Sequence, residues 1–211
     1  MTSLAEKYRI GSRIGGGGMA EVLEAEIVGA EGFARQVAIK RILAPLSEDP
    51  RFGEMFINEA RLASLLHHPN IVSVLDFDRD EDGRYYLVME RVRGVDLSRL
   101  ANGGRVPIAV SAYVIGEVLR GLAHAHELVE GGRHLHIVHR DISPHNVMLS
   151  WSGGVKVVDF GLAKAVAASD ASRSGALKGK IAYMSPEQAQ AGEIDGRSDV
   201  FAVGIMLHEL L

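Results

Sequence analysis

Two acids and an amide carry the spacing of an oxygen-ligand set. His139-Arg140-Asp141 is followed closely by Asn146, and Asp159-Phe160-Gly161 comes after two short apolar runs. Hard oxygen ligands of this kind suit Mg²⁺, which keeps waters and shares its shell with phosphate oxygens. A glycine run, Gly15 to Gly18, stands between two alternating stretches. Glycines in a hairpin leave backbone N–H groups uncovered, so the turn can close over a polyphosphate; taken alone, it fits a flexible turn equally well. The run lies between strands and lacks a Gly-Lys-Ser/Thr ending, which sets aside the P-loop and the dinucleotide fingerprint. Lys40 sits inside an apolar strand pattern and Glu59 on the apolar stripe of a helix. Each charge is costly to bury alone and each supplies what the other needs; a lone lysine reaching solvent from a strand edge is the alternative.

These residues need two kinds of scaffold. To about residue 90 the chain is alternating and glycine-punctuated, and beyond it longer apolar periodicities of helical type take over, so a mostly β part precedes a mostly α part. Tyr8-Arg9-Ile10 and Glu21 to Val28 read as a hairpin around the glycines, and Val37-Ala38-Ile39-Lys40 as a third strand. Ser47-Glu48-Asp49-Pro50 starts a helix that carries Phe52, Phe56, Glu59, Leu62 and Leu66 and ends at His68-Pro69. Ile71 to Phe77 and Tyr85 to Met89 are two further strands. Ile108, Ile115, Val118, Leu119 and Leu122 mark a long helix, and Val147 to Leu149 and Val155 to Val158 are short strands around Gly153-Gly154.

The 211 residues carry a net charge of 23 − 27 = −4, with 47% apolar and 24% charged residues. A folded domain or two small lobes sharing a cleft is expected, and nucleic-acid binding by bulk charge is disfavoured. With no cysteine, thiol nucleophiles, disulfides and thiolate zinc sites are excluded. His67, His68, His124, His126, His134, His136 and His145 form no metal-like grouping with acids. No stretch approaches about 18 uncharged apolar residues, and no leader precedes Tyr8, so a cytoplasmic chain without a membrane segment is expected.

In this order the glycine hairpin, Val37-Ala38-Ile39-Lys40, Glu59, His139-Arg140-Asp141 with Asn146, Asp159-Phe160-Gly161 and Ser185-Pro186-Glu187 resemble the eukaryotic-type (Hanks-type) protein kinase family. The resemblance runs from about Tyr8 to the last residue. It implies an α+β, two-lobed fold: a β-rich N-lobe over 1–90, a hinge over 91–96 and a partial α-rich C-lobe over 97–211. It implies ATP and Mg²⁺, with Ile14 and Gly15, Gly16, Gly17 and Gly18 over the phosphates, Lys40 on the α- and β-phosphates and Glu59 locking Lys40. Val22, Ala38 and Met148 would enclose adenine, Met89 would be the gatekeeper, Glu90 and Val92 would offer hinge hydrogen bonds, and Asp96 would reach the ribose. Asp141 would orient the substrate hydroxyl, and Asn146 and Asp159 would hold Mg²⁺. His139, Phe160, Ala63 and Val74 match a packing spine, and Asp199 the acid at its base.

Arg140 beside Asp141 implies an activation segment ordered by phosphate, with Ser169, Ser172 and Ser174 as acceptors; a solvated loop is the plain alternative. The chain departs from the family pattern in three places. Ala20 replaces the third loop glycine. Ser143 and Lys180 stand where serine/threonine kinases carry lysine and threonine. Lys180 would therefore return the missing ammonium to the γ-phosphate. His145 stands where tyrosine-specific members carry arginine, so serine or threonine hydroxyls of protein substrates are the expected acceptors; the insert from Glu127 to His136 resembles bacterial members. The rivals are a silent pseudokinase scaffold, which the retained Lys40, Glu59, Asp141, Asn146 and Asp159 oppose, and a small-molecule phosphotransferase, which Ser185-Pro186-Glu187 opposes.

By the same resemblance the chain stops inside the helix carrying Asp199, and Phe201, Val203, Ile205, Met206, Leu207, Leu210 and Leu211 are apolar around most of its circumference. A truncated kinase domain, weak or inactive, is expected, with Glu187 lacking its arginine partner. The oligomeric state is left open.

Overall fold

The computed structural model describes residues 4–47, 49–160 and 181–211. The chain divides into two compact units, one of residues 1–65 and 73–91 and the other of residues 66–72 and 92–211. Lys180, Gly161, Ser169, Ser172 and Ser174 lie outside the described residues.

The first unit is built on an antiparallel sheet of β1 (Tyr8–Gly16), β2 (Ala20–Val28), β3 (Ala34–Ile42), β4 (Val74–Arg79) and β5 (Tyr85–Glu90), in the order β1-β2-β3-β5-β4. Register decides which residues share a face. Leu23 and Val88 pair with Ile39, and Ala25 with Val37. Val37, Ile39, Tyr86 and Val88 are fully buried in a cluster with Leu4 and Tyr8, Leu4 coming from α1 (Leu4–Lys7). The opposite face carries Val22 and Leu87 beside Lys40, and Glu24 and Met89 beside Ala38. A short α2 (Ala44–Ser47) leads to α3 (Pro50–Ala63), whose start follows the expected logic: the Asp49 carboxylate accepts from the Arg51 amide and proline occupies the first turn. The helix stops before His68, where the Ser64 hydroxyl donates to the Arg61 carbonyl at 2.8 Å. Phe56 packs on Phe77 of β4, ring centroids 5.9 Å apart, which turns the Phe56–Glu59 stripe toward the lysine face of the sheet.

In the second unit β6 (Gly94–Asp96) joins β9 (Val147–Ser150) and β10 (Val155–Val157) in a three-stranded sheet ordered β10-β9-β6. Between them come α4 (Leu97–Asn102), α5 (Ile108–His126) and the two-residue strands β7 (Val129–Glu130) and β8 (Arg133–His134). After β10 come α6 (Pro186–Ala189) and α7 (Gly196–Leu210). α5 and α7 pack along Ser111, Val114, Ile115, Val118, Leu122 and Ala125 on one side and Ala202, Val203, Met206 and Leu210 on the other. The expected stripe is corrected at two places. Ile108 is exposed because it precedes the turn that meets α7, and Leu119 because it is rotated off the line of Val118 and Leu122. Among the described residues α5 alone is long and apolar enough to cross a bilayer by length and composition, although it carries Glu117 and Arg120. It also packs on β10.

Candidate functional site

Within the first unit, the glycine turn is closed by the Gly17 amide donating to the Ala20 carbonyl at 2.8 Å. The glycines are not equivalent. At Gly16, with φ of 144°, an added Cβ would fall 2.8 Å from the Ala20 carbonyl oxygen and 2.9 Å from the Glu21 Cα, whereas at Gly17 and Gly18 it would meet nothing. Gly16 is therefore needed for the turn, and Gly17 and Gly18 leave its tip bare. Lys40 Nζ lies 2.7 Å from Glu59 Oε1, with side chains only 13% and 6% exposed. β3 brings the ammonium to the α3 face of the sheet, and Phe56, one turn earlier on α3, brings the carboxylate to meet it. Val22 and Ala38 stand on that same face, as does Met89 at the end of β5. Glu90 is held twice by Ser73: its amide donates to the Ser73 carbonyl at 3.0 Å, and its carboxylate accepts from the Ser73 amide at 2.8 Å. Ile14 is exposed.

Within the second unit, the Asn146 side-chain amide donates to the Asp141 carbonyl at 2.8 Å and to its carboxylate at 3.0 Å. The Asn146 backbone carbonyl accepts from the Val158 amide at 3.0 Å, so the strand that delivers Asp159 is tied to the loop carrying Asp141. Asp159 and Arg140 both occupy the left-handed region, with φ of 56° and 67°. That conformation is costly for residues other than glycine and persists only where surroundings enforce it. For Arg140 they do. Asp199, whose side chain is 1% exposed, accepts from the His139 amide and the Arg140 amide, each at 2.8 Å, while the Gln188 side chain donates to the Arg140 carbonyl at 2.9 Å. His126 Nε2 adds a third contact to Asp199 at 2.8 Å.

His139 is fully buried, with Nε2 on the Val158 carbonyl at 2.9 Å and Nδ1 accepting from the Asp141 amide at 3.2 Å. With Nδ1 taken by an amide, Nε2 is the ring nitrogen placed to donate to the Val158 carbonyl. Its ring packs on Phe160, centroids 4.7 Å apart, which is the geometry of a packing residue. Asp96 and Met148 are paired across β6 and β9. The Asp96 carboxylate caps α4 through the Arg99 amide and takes the Ser98 hydroxyl. Burial pushes its pKa up, and these hydrogen bonds more than offset that, leaving it below the ordinary carboxylate range.

Glu187 is not left without a partner: it accepts the Ser198 hydroxyl at 2.5 Å, and that bond is the main cause of its lowered pKa. Ser185 and Gln188 form the capping box of α6. Ser143 is buried and its hydroxyl has no hydrogen-bond partner among the described residues. Sequence reasoning missed His126 and Gln188. The Ser-x-x-Gln spacing at 185–188 was a readable signal for the second; His126 meets Asp199 from 73 residues away and leaves no local trace.

Asn146 turns its amide nitrogen to Asp141, which leaves the carbonyl oxygen as the donor suited to a hard cation. No group of three or more His, Asp or Glu able to hold a metal occurs among the described residues.

The family model described as protein kinase domain matches residues 8–211. The chain belongs to the protein kinase family. It is 48% identical over 210 residues to the tyrosine-protein kinase MasK of Myxococcus xanthus, covering 97% of this chain and 32% of that protein. It is 40% identical to the serine/threonine-protein kinase PrkC of Bacillus subtilis, covering 99% and 31%. The chain thus spans about a third of the length of these relatives. The crystal structure of the Mycobacterium tuberculosis PknI kinase domain is similar at a TM-score of 0.71 and 26% identity, over 97% of this chain and 72% of that one. The kinase fold, an α+β arrangement with a five-stranded sheet and a helical part, is thereby established.

Proposed function

We propose that this chain transfers the γ-phosphoryl group of ATP to serine or threonine hydroxyls of protein substrates, with 91–96 as the hinge between kinase lobes 1–90 and 97–211. The observation that carries the reading is the buried Lys40–Glu59 pair, already closed at 2.7 Å. A scaffold that merely bound partners would have no use for so costly a pair, since burying two charges rarely stabilises a fold more than apolar packing would.

In this reading the bare glycine turn covers the phosphates and Lys40 binds the α- and β-phosphates. Asp141, held by the Asn146 amide, takes the proton of the substrate hydroxyl. The hydroxyl oxygen bonds to the γ-phosphorus, the bond from that phosphorus to the bridging oxygen breaks, and the electron pair leaves with ADP. Asn146 and Asp159 would hold Mg²⁺, which would supply positive charge against the phosphates. Val22, Ala38, Met89 and Met148 enclose adenine, Glu90 and Val92 give it backbone hydrogen bonds, and Asp96 faces the ribose. Lys180 supplies the ammonium that Ser143 does not, and the Arg140 guanidinium pairs with a phosphate carried on Ser169, Ser172 or Ser174. Dependence on ATP supports a cytoplasmic location, and a net charge of −4 supports protein rather than nucleic-acid partners.

A second reading, transfer to tyrosine, is favoured by the name of MasK at 48% identity. Phosphoamino-acid analysis after incubation with Mg²⁺ and γ-labelled ATP separates the two, with Asp141→Asn as the control. Label on serine or threonine is expected; label on tyrosine alone would select the second reading, and nucleotide binding without label would select the scaffold. For Lys180→Met, kcat is expected to fall at least tenfold. An unchanged kcat would remove Lys180 from the mechanism.

A further inference from the structure

Arg91 follows Glu90 directly and precedes Val92, the two residues whose backbone groups the proposed function assigns to adenine. Its Nη1 lies 2.6 Å from Glu24 Oε2 on β2, the side chains being 22% and 40% exposed. Glu24 pairs with Ala38 and Val22 with Lys40, so Glu24 stands on the lysine face of the sheet, two residues along β2 from Val22. The other carboxylate oxygen of Glu24 accepts the Ser12 hydroxyl of β1 at 3.1 Å. β1 leaves room for this side chain only because residue 11 is glycine; a Cβ there would lie 2.7 Å from Glu24 Cγ. Beyond the pair the same face opens into a groove of about 210 Å³, lined by Arg9, Gly11, Glu24, Glu26, Gln36 and Arg91 among others. The Glu24–Arg91 bridge is therefore the boundary between the Val22–Lys40 stretch of the sheet and open water.

We infer that Glu24 and Arg91 are positioning residues for the purine of ATP: the bridge ties residue 91 to β2 and so fixes the backbone on either side of it in the conformation that meets adenine. The inference rests on the kinase reading. Glu90 is already anchored through Ser73, so Arg91 supplies the second of two tethers on consecutive residues. Restraining a binding segment in its bound form raises affinity by lowering the ordering cost, without a new contact to the ligand. Because the pair is partly exposed, its effect is modest and screened by salt.

The test is calorimetric titration of the chain with ATP and with inorganic tripolyphosphate, both with Mg²⁺. Arg91→Ala and Glu24→Gln are each expected to weaken ATP about threefold, and the double variant no further, because both remove one bridge. Tripolyphosphate, which lacks the purine, should bind all variants alike. Arg91→Lys and the charge-swapped Glu24→Arg/Arg91→Glu should recover at least half of the loss. Gly11→Val, which displaces Glu24 without touching either charge, should reproduce it. In turnover the change should appear in KM for ATP and leave kcat unaltered. Singles that bind ATP as the parent does, losses that add in the double variant, or an equal loss for tripolyphosphate would overturn the inference while leaving the kinase reading intact. Failure of the unsubstituted chain to bind ATP would overturn both.

Discussion

In the sheet unit the functional charges are placed by the reach of long side chains. Lys40 and Glu59 come from a strand and a helix whose courses are set by the apolar residues around them, and the two meet at 2.7 Å. In the helical unit the functional loop is placed through its own backbone: the amides of His139 and Arg140 end on Asp199, the Arg140 carbonyl on Gln188, and the Asp141 amide on His139. The first arrangement can lose its charges and keep its shape. The second has no shape without its hydrogen bonds, because Arg140 is held at φ of 67° and relaxes once its partners go.

The sharpest way to break this contrast is Asp199→Ala. It removes one buried carboxylate that serves two amides and His126, and leaves the amides unsatisfied. A loss of about 3–5 kcal/mol is expected, together with activity, read from urea unfolding and from phosphoryl transfer. Asp199→Asn, which keeps one acceptor oxygen, should cost less. Equal, small losses for both would show that the loop is held by something other than Asp199.

The sheet unit should behave differently. Lys40→Met alone takes the ammonium from the buried Glu59 carboxylate and should cost about 3 kcal/mol, and Glu59→Leu alone, which takes the carboxylate from Lys40, should cost about as much. The double variant Lys40→Met/Glu59→Leu should recover most of that stability, yet remain about 10³-fold less active than the parent. A double variant as unstable as the sum of the singles would make the pair structural and erase the distinction between the units. At the glycine turn, Gly16→Ala should cost about 2 kcal/mol, since it meets both positive φ and two short backbone contacts, while Gly18→Ala, with open space around it, should stay within about 0.5 kcal/mol.

The same contrast governs what the sequence made legible. Lys40 and Glu59 could be paired from pattern alone because each violates the apolar stripe of its own element, and a violated stripe asks for a partner. Asp141, Asn146 and Asp159 were legible through short spacing in loops. Of what holds them, Asp199 was legible through the family resemblance and His126 was not. His126 is the last residue of α5 and meets an acid 73 positions later, and nothing in its neighbours marks it as more than a helix-ending histidine. Gly196 is a further trace that only the structure explains: a Cβ there would lie 2.6 Å from His126 Nδ1, so the start of α7 must be bare for the histidine to reach Asp199. Glu24 and Arg91 belong to no motif in the sequence, and only the register of β2 and β3 puts Glu24 on the lysine face. The stripe of α5 was misread at Ile108 and Leu119 because periodicity gives an axis of burial but not where along the helix the partner begins.

The smallest effect concerns the backbone-held side of the comparison, at residues 66–72, which group with the helical unit. His68 Nδ1 accepts from the Asn70 amide at 3.2 Å, and Asn70 in turn donates to Glu117 of α5 and to the Val155 carbonyl. The His68 ring stacks on His124, centroids 5.1 Å apart. Burial, and then the neighbouring His124, Lys156 and Arg120, hold its pKa below the ordinary 6.5. The unfolded chain therefore takes up a proton near pH 6.5 that the folded chain refuses, so stability is fully present above that pH and declines as pH falls through it. Protonation of the folded state would also convert Nδ1 from acceptor to donor and break the bond to Asn70. His68→Asn, whose side-chain oxygen can take the Asn70 amide, should flatten the slope of unfolding free energy against pH below about 6.5 while changing stability little at pH 8. An unaltered slope would mean that the acid sensitivity of this loop comes from other groups, and that its hold on α5 does not depend on a neutral His68.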